Sequence, residues 1–174
     1  MIITFSGNTT DFFRDAFYNS STSGFDVTVV STSATQIVVR NDSTGFTTTF
    51  TGTGLSGSPN FSGTLTGMTT VDSASRPVVA FSQLSWTFSA FVSALADAID
   101  NDDSSGLNAL LALQPITFNG QGANAPADLG FYGVNTSATL IGNGFGDTLG
   151  GANGNDSIAP GSAQAGSGEV VLGT

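Results

Sequence analysis

At 174 residues, 39% of them hydrophobic, the chain is long enough for one domain with a substantial core and too apolar for compositional disorder. Its net charge is −10, its only cations are Arg14, Arg40 and Arg76, and charged residues make up 9%. A binder of nucleic acid or of an anionic membrane surface needs clustered Lys and Arg, and both are excluded. With no Cys and no His, disulfides, thiolate nucleophiles, His-based triads and the commonest zinc ligands are excluded too.

The first segment, MIITFSGN, lacks the positive n-region and long apolar run of a Sec-type signal peptide. No stretch reaches the roughly 18 apolar residues of a membrane-spanning helix. An exported chain of this kind uses a route that does not read the N-terminus. Residues 10 to 19 (TDFFRDAFYN) predict a short helix, with Thr10 as N-cap, Asp11 in the first turn, and Phe12, Phe13, Ala16 and Phe17 on one face.

Residues 24 to 71 change to a period of two. FDVTVV, TQIVVR, GFTTTFTGTG and FSGTLTGMTTV are β-branched and aromatic, and they alternate with Ser and Thr. The links STSA, NDSTG and SGSPN carry turn residues. Short strands with short links predict an antiparallel meander, its Thr positions facing water and its Val, Ile, Phe and Leu positions the core. VVAFSQL (residues 78 to 84) predicts one more strand. SWTFSAFVSALADAID then repeats Phe88, Phe91, Val92, Leu95 and Ile99 at helical spacing, with Ser85 as cap and Trp86 in the first turn, in a core role. LNALLAL predicts a shorter helix that stops before Pro115. The expected fold class is α+β, a curved antiparallel sheet backed by helices over residues 1 to 118, followed by a Gly/Asn-rich segment with a short roll over 119 to 174.

Asp97, Asp100, Asp102 and Asp103 crowd the turn between the two helices. They lack the Gly and closing Glu of an EF-hand loop, so the expectation is a solvated acidic helix end, with some of these carboxylates serving the start of the next helix.

The chemistry concentrates in GNGFGDTLG (residues 142 to 150) and GANGNDSIA (151 to 159). Gly142 and Gly151 open the units, Asp147 and Asp156 hold the sixth place, and Leu149 and Ile158 hold the eighth. Asn143 and Phe145 stand in the first unit where Gly is expected, and no third Asp follows at Ala165. Leu140 and Leu172 are further isolated apolar pegs. The spacing resembles the glycine-rich nonapeptide of RTX proteins, calcium binders exported by type I systems without an N-terminal signal. The resemblance implies tight Gly/Asn turns whose carbonyls, with the Asp carboxylates, ligate calcium, and an apolar eighth residue that pegs a short strand into a parallel β-roll. The implied metal set is Asp147, Asp156, Gly142, Gly144, Gly151, Asn153 and Gly154. GSGEVVLGT, with Glu169 before Val170, Val171 and Leu172, looks like the acidic-then-aliphatic end of a type I secretion signal. The body is similar in order and texture to the hemophores, also type I substrates, which hold haem iron through His and Tyr. This chain has no His and only Tyr18 and Tyr132.

Together these readings predict an extracellular, calcium-binding structural protein that self-assembles as a filament, matrix or surface layer. Its partner is a second copy of itself or a cell-surface or matrix component, and calcium bridges subunits. The alternative is a monomeric extracellular module that carries haem or binds glycans. An enzyme is not expected, because no pair of Asp stands out and His, Cys and Lys are absent.

Overall fold

The alternating segments become strands that pair with their neighbours in the chain, as short links demand. The computed structural model describes residues 1–7, 9, 12–19, 24, 25, 27–57, 59–131, 133–159, 161 and 170–172. The antiparallel meander is β4 (Val27–Thr32), β5 (Gln36–Asn41), β6 (Thr47–Ser56), β7 (Ser62–Val71) and β8 (Pro77–Thr87). β1 (Ile2–Phe5), within the stretch weighed above only as a leader, pairs antiparallel with β8 on one side. On its other side it pairs parallel with β9 (Ile116–Asn119). α1 (Phe12–Phe17) runs into a small hairpin of β2 (Tyr18–Asn19) and β3 (Gly24–Phe25). The expected caps of α1, Thr10 and Asp11, lie outside the described residues, and its expected last residues, Tyr18 and Asn19, are strand rather than helix.

Past α2 (Phe88–Asp100) and α3 (Ser105–Leu111), the chain alternates between two sheets. β9, β11 (Ala138–Ile141) and β13 (Ser157–Ala159) extend the large sheet, while β10 (Asp128–Gly130), β12 (Thr148–Gly150) and β14 (Val170–Leu172) form a second one. Every pairing in this region is parallel. Among the described residues the large sheet has nine strands, in the order β13-β11-β9-β1-β8-β7-β6-β5-β4. The protein is therefore α+β with a mixed sheet, not an antiparallel one throughout. The sheet runs without a break across residues 118 and 119.

The core of the meander is aromatic. Phe50 meets Phe17 at 6.1 Å, Phe88 at 5.3 Å and Phe91 at 5.8 Å. α2 packs on β7 and β8 and buries Phe88, Phe91, Ala94 and Leu95, the face its periodicity predicts. The helix starts at Phe88, however, so Ser85 and Trp86 belong to β8 and not to a helical first turn. Trp86 is buried there, in the core role expected of it.

The facing rule also has exceptions. Thr48 and Thr70 are buried because their hydroxyls satisfy each other across β6 and β7 at 2.9 Å. Val29 and Val30 are 46% and 60% exposed, because β4 is the edge strand and its pairing with β5 shifts register between Val29 and Ser31.

Candidate functional site

Each repeat Asp stands immediately before a strand of the parallel region, Asp147 before β12 and Asp156 before β13. Since β12 belongs to one sheet and β13 to the other, the two carboxylates occupy corresponding places on opposite sheets. Parallel register sets a main-chain N–H of the preceding turn beside each carboxylate. The N–H of Ala127 donates to Asp147 Oδ1 at 2.7 Å, and that of Ala138 donates to Asp156 Oδ1 at 2.8 Å.

The two sites diverge at the second oxygen. Asp147 Oδ2 accepts the N–H groups of Asn143 at 2.7 Å and Gly144 at 3.3 Å, so the fully buried carboxylate is held by three main-chain donors. Such charge-assisted bonds offset the cost of burying a charge. Asp156 Oδ2 is equally shielded from solvent but has no hydrogen-bond donor among the described residues. It lies against Gly151, where a Cβ would collide with it. The glycine that opens the second unit thus leaves the space that the carboxylate fills.

The remaining residues of the implied set are placed as follows. The N–H of Gly142 donates to Ala159 O at 2.8 Å. Gly144 has φ +83°, a left-handed conformation that favours glycine. The main-chain N–H of Asn153 donates to Val134 O, and its Nδ2 donates to Asn135 Oδ1 at 2.9 Å. A side chain at Gly154 would meet the carbonyl oxygen of Thr136. Gly142, Gly144 and Asp147 form one turn, and Gly151, Asn153, Gly154 and Asp156 another. The structure does not bring Asp147 and Asp156 to one ion. Among the described residues no three acidic side chains converge on a common point.

Sequence reasoning missed the partners from the preceding turn. Asn143, which breaks the glycine pattern, ties that turn to its neighbour through Nδ2–H donated to Ala125 O at 2.7 Å, and its Oδ1 accepts the N–H of Phe145 at 3.0 Å. The contacts 125–143, 135–153 and 138–156 all span 18 residues, two nonapeptides. The strand partners lie at similar steps of 18 to 22 residues: Phe118, Leu140 and Ile158 align in one sheet, and Leu129, Leu149 and Val171 in the other. The nine-residue spacing from Leu140 through Leu149 to Ile158 is the part of this that the sequence carries.

The acidic turn between the helices is local structure. Asp103 Oδ1 accepts the N–H of Ser105 at 2.9 Å, at the start of α3, and hydrogen bonds from Ser105, side chain first and main chain second, hold this carboxyl below its ordinary range. Tyr132 and Glu169 lie outside the described residues. No described helix is long and apolar enough to cross a membrane. Compared with family models, curated proteins and solved structures, the chain finds no match.

Proposed function

We propose that this chain is an extracellular, calcium-binding structural protein of RTX character, exported by a type I route, that assembles with copies of itself. The observation that carries this reading is Asp156 Oδ2, a buried carboxylate oxygen with no donor among the described residues, set in a nonapeptide turn of a region that winds between two sheets through parallel pairings. The 18-residue step and the aligned pegs support a short RTX-like β-roll, built onto the antiparallel body through the β1–β9 pairing.

Asp147 serves as the cap of its turn, and Asp156 as the first ligand of the ion. Asp156 brings one unpartnered carboxylate oxygen to a cation that takes six to eight, and a second subunit is the source of further ligands in this reading. On the neighbouring strand β11, Ala138 offers only an N–H donor, while β13 stands at the end of its sheet among the described residues and is where another copy would add. Such a contact joins two different surfaces and extends into a fibre unless its rotation closes. Calcium also lowers the self-repulsion of a chain with net charge −10. Particle size by light scattering and electron microscopy, with calcium and after chelation, tests this. Calcium-dependent assemblies that chelator disperses are expected. A strict monomer in calcium rules out assembly, and assemblies indifferent to chelator rule out the bridge.

A further inference from the structure

Among the described residues the large sheet ends at β13 on one side and at β4 on the other. β4 reads VTVVST, with no charge and no proline, and its Val29 and Val30 are 46% and 60% exposed. They are two of the four large hydrophobic residues that stand exposed among the described residues. Edge strands are ordinarily guarded by Lys, Pro or charge, because their unpaired N–H and C=O groups accept another strand. β4 has its bulge as the one such guard, and Ser157–Ala159 of β13 is uncharged as well.

The pairings fix how these two ends meet when one copy follows another. β1, β9, β11 and β13 run in one direction, since each pairs parallel with the next. From β1 through β8, β7, β6 and β5 to β4 there are five antiparallel steps, so β4 runs opposite to β13. A second copy carried along the sheet, and turned only by its twist, therefore sets its β13 antiparallel to β4 of the first. The faces agree too. Register partners lead from Ile158 through Phe118 and Phe81 to Phe50 and Ile37 along the face that carries the core. Val29 lies on that face, opposite the buried Val39. Pairing β4 with β4 about a two-fold axis would leave β13 unused, whereas head-to-tail addition consumes both ends in one contact.

We propose that β13 of one copy adds to β4 of the next as a short antiparallel ladder, with Ile158 laid against Val29 on the core side. This rests on the self-assembly proposed above and names the surface that receives the incoming strand. Ladders of three residue pairs already join β13 to β11 and β10 to β12. With Ile158 beside Val29, antiparallel order sets Ala159 beside Thr28 and Asp156 toward Ser31 and Thr32. The receiving end is then rich in uncharged oxygens and brings no carboxylate against Asp156.

The chain has no Cys, so a disulfide between introduced cysteines reports one contact. Thr28→Cys and Ala159→Cys, both at exposed positions, are mixed in calcium under mild oxidation. At about 10 µM protein, the mixed disulfide is expected about a hundredfold faster than one to Leu113→Cys, an exposed control, because contact raises the effective concentration to millimolar. Val30→Lys, which puts a charge on the edge, is expected to abolish assembly by light scattering while its melt in chelator matches the wild type. Wild-type protein that stays monomeric in calcium removes assembly itself, and this contact with it. Wild-type assemblies that give no mixed disulfide, links mainly between two Thr28→Cys chains, or full-size assemblies of Val30→Lys overturn the β13–β4 contact and leave the calcium reading standing.

Discussion

The antiparallel body and the parallel region solve one problem with different materials. In the body, strands of up to eleven residues bury large rings, and Phe50, Phe88, Phe91 and Trp86 touch one another around α2. In the parallel region the strands are three or four residues long, and each sheet carries one line of pegs. There the turns between strands do much of the holding, through carboxylate and Asn bonds that reach back 18 to 20 residues. A region built on turns places its polar groups by backbone geometry, which suits it to hold an ion. A region built on rings is suited to be a rigid base.

The sharpest way to break the body is Phe91→Ala. Phe91 is 0% exposed and contacts both Phe50 and Trp86, so removing the ring leaves a cavity and costs about 3–5 kcal/mol. Urea unfolding followed by circular dichroism measures it, and no dependence on calcium is expected. In the parallel region the corresponding change is Asp147→Ala, which strands three N–H donors at a fully buried site and costs about 3 kcal/mol, again without calcium dependence. A loss seen only in calcium would mean that Asp147 is a ligand and not a cap.

Smaller effects sharpen the contrast within the body. Thr48→Val leaves the hydroxyl of Thr70 buried alone and costs about 1 kcal/mol, whereas the double change Thr48→Val with Thr70→Val is close to neutral, as a double-mutant cycle would record. The smallest effect concerns pH. The main-chain N–H of Arg76 lowers the pKa of Asp72, burial opposes the shift, and the Arg76 side chain adds to the lowering through bonds of 2.7 Å. Because the folded value lies below the unfolded one of 3.8, this stabilisation is present above pH 3.8 and is lost as pH falls through the lowered folded value. Asp72→Asn should flatten that acid limb in melting curves taken across the range, while the neutral-pH melt loses only what the Arg76 pair contributes.

Legibility in the sequence follows the same division. The meander strands and α2 were readable because they are long enough to show their periods, two in TQIVVR and 3.6 from Phe88 to Ile99. β1 was missed because MIITF is too short to alternate visibly, and its partners lie about 80 and 115 residues along the chain. β9 and β10 were missed for a related reason, since strands of three or four residues carry no period of their own, whereas β12 and β13 were expected only as the short strands that Leu149 and Ile158 peg. The Thr48–Thr70 pair reads as solvent-facing until its partner is known. At the candidate site the Asp spacing was visible, but the donors were not. Ala127 and Ala138 contribute main-chain N–H groups that any residue except Pro carries, so only the fold reveals them.

The most direct measurement is calcium titration by calorimetry of the wild type, Asp147→Asn and Asp156→Asn. If Asp156 is the free carboxylate and Asp147 the occupied one, Asp156→Asn weakens calcium binding at least about tenfold, which corresponds to some 1.4 kcal/mol. Asp147→Asn, held well below its melting temperature, keeps the wild-type affinity. A wild type that takes up no calcium, or an Asp156→Asn variant that binds it as well as the wild type, would contradict this division between the two aspartates.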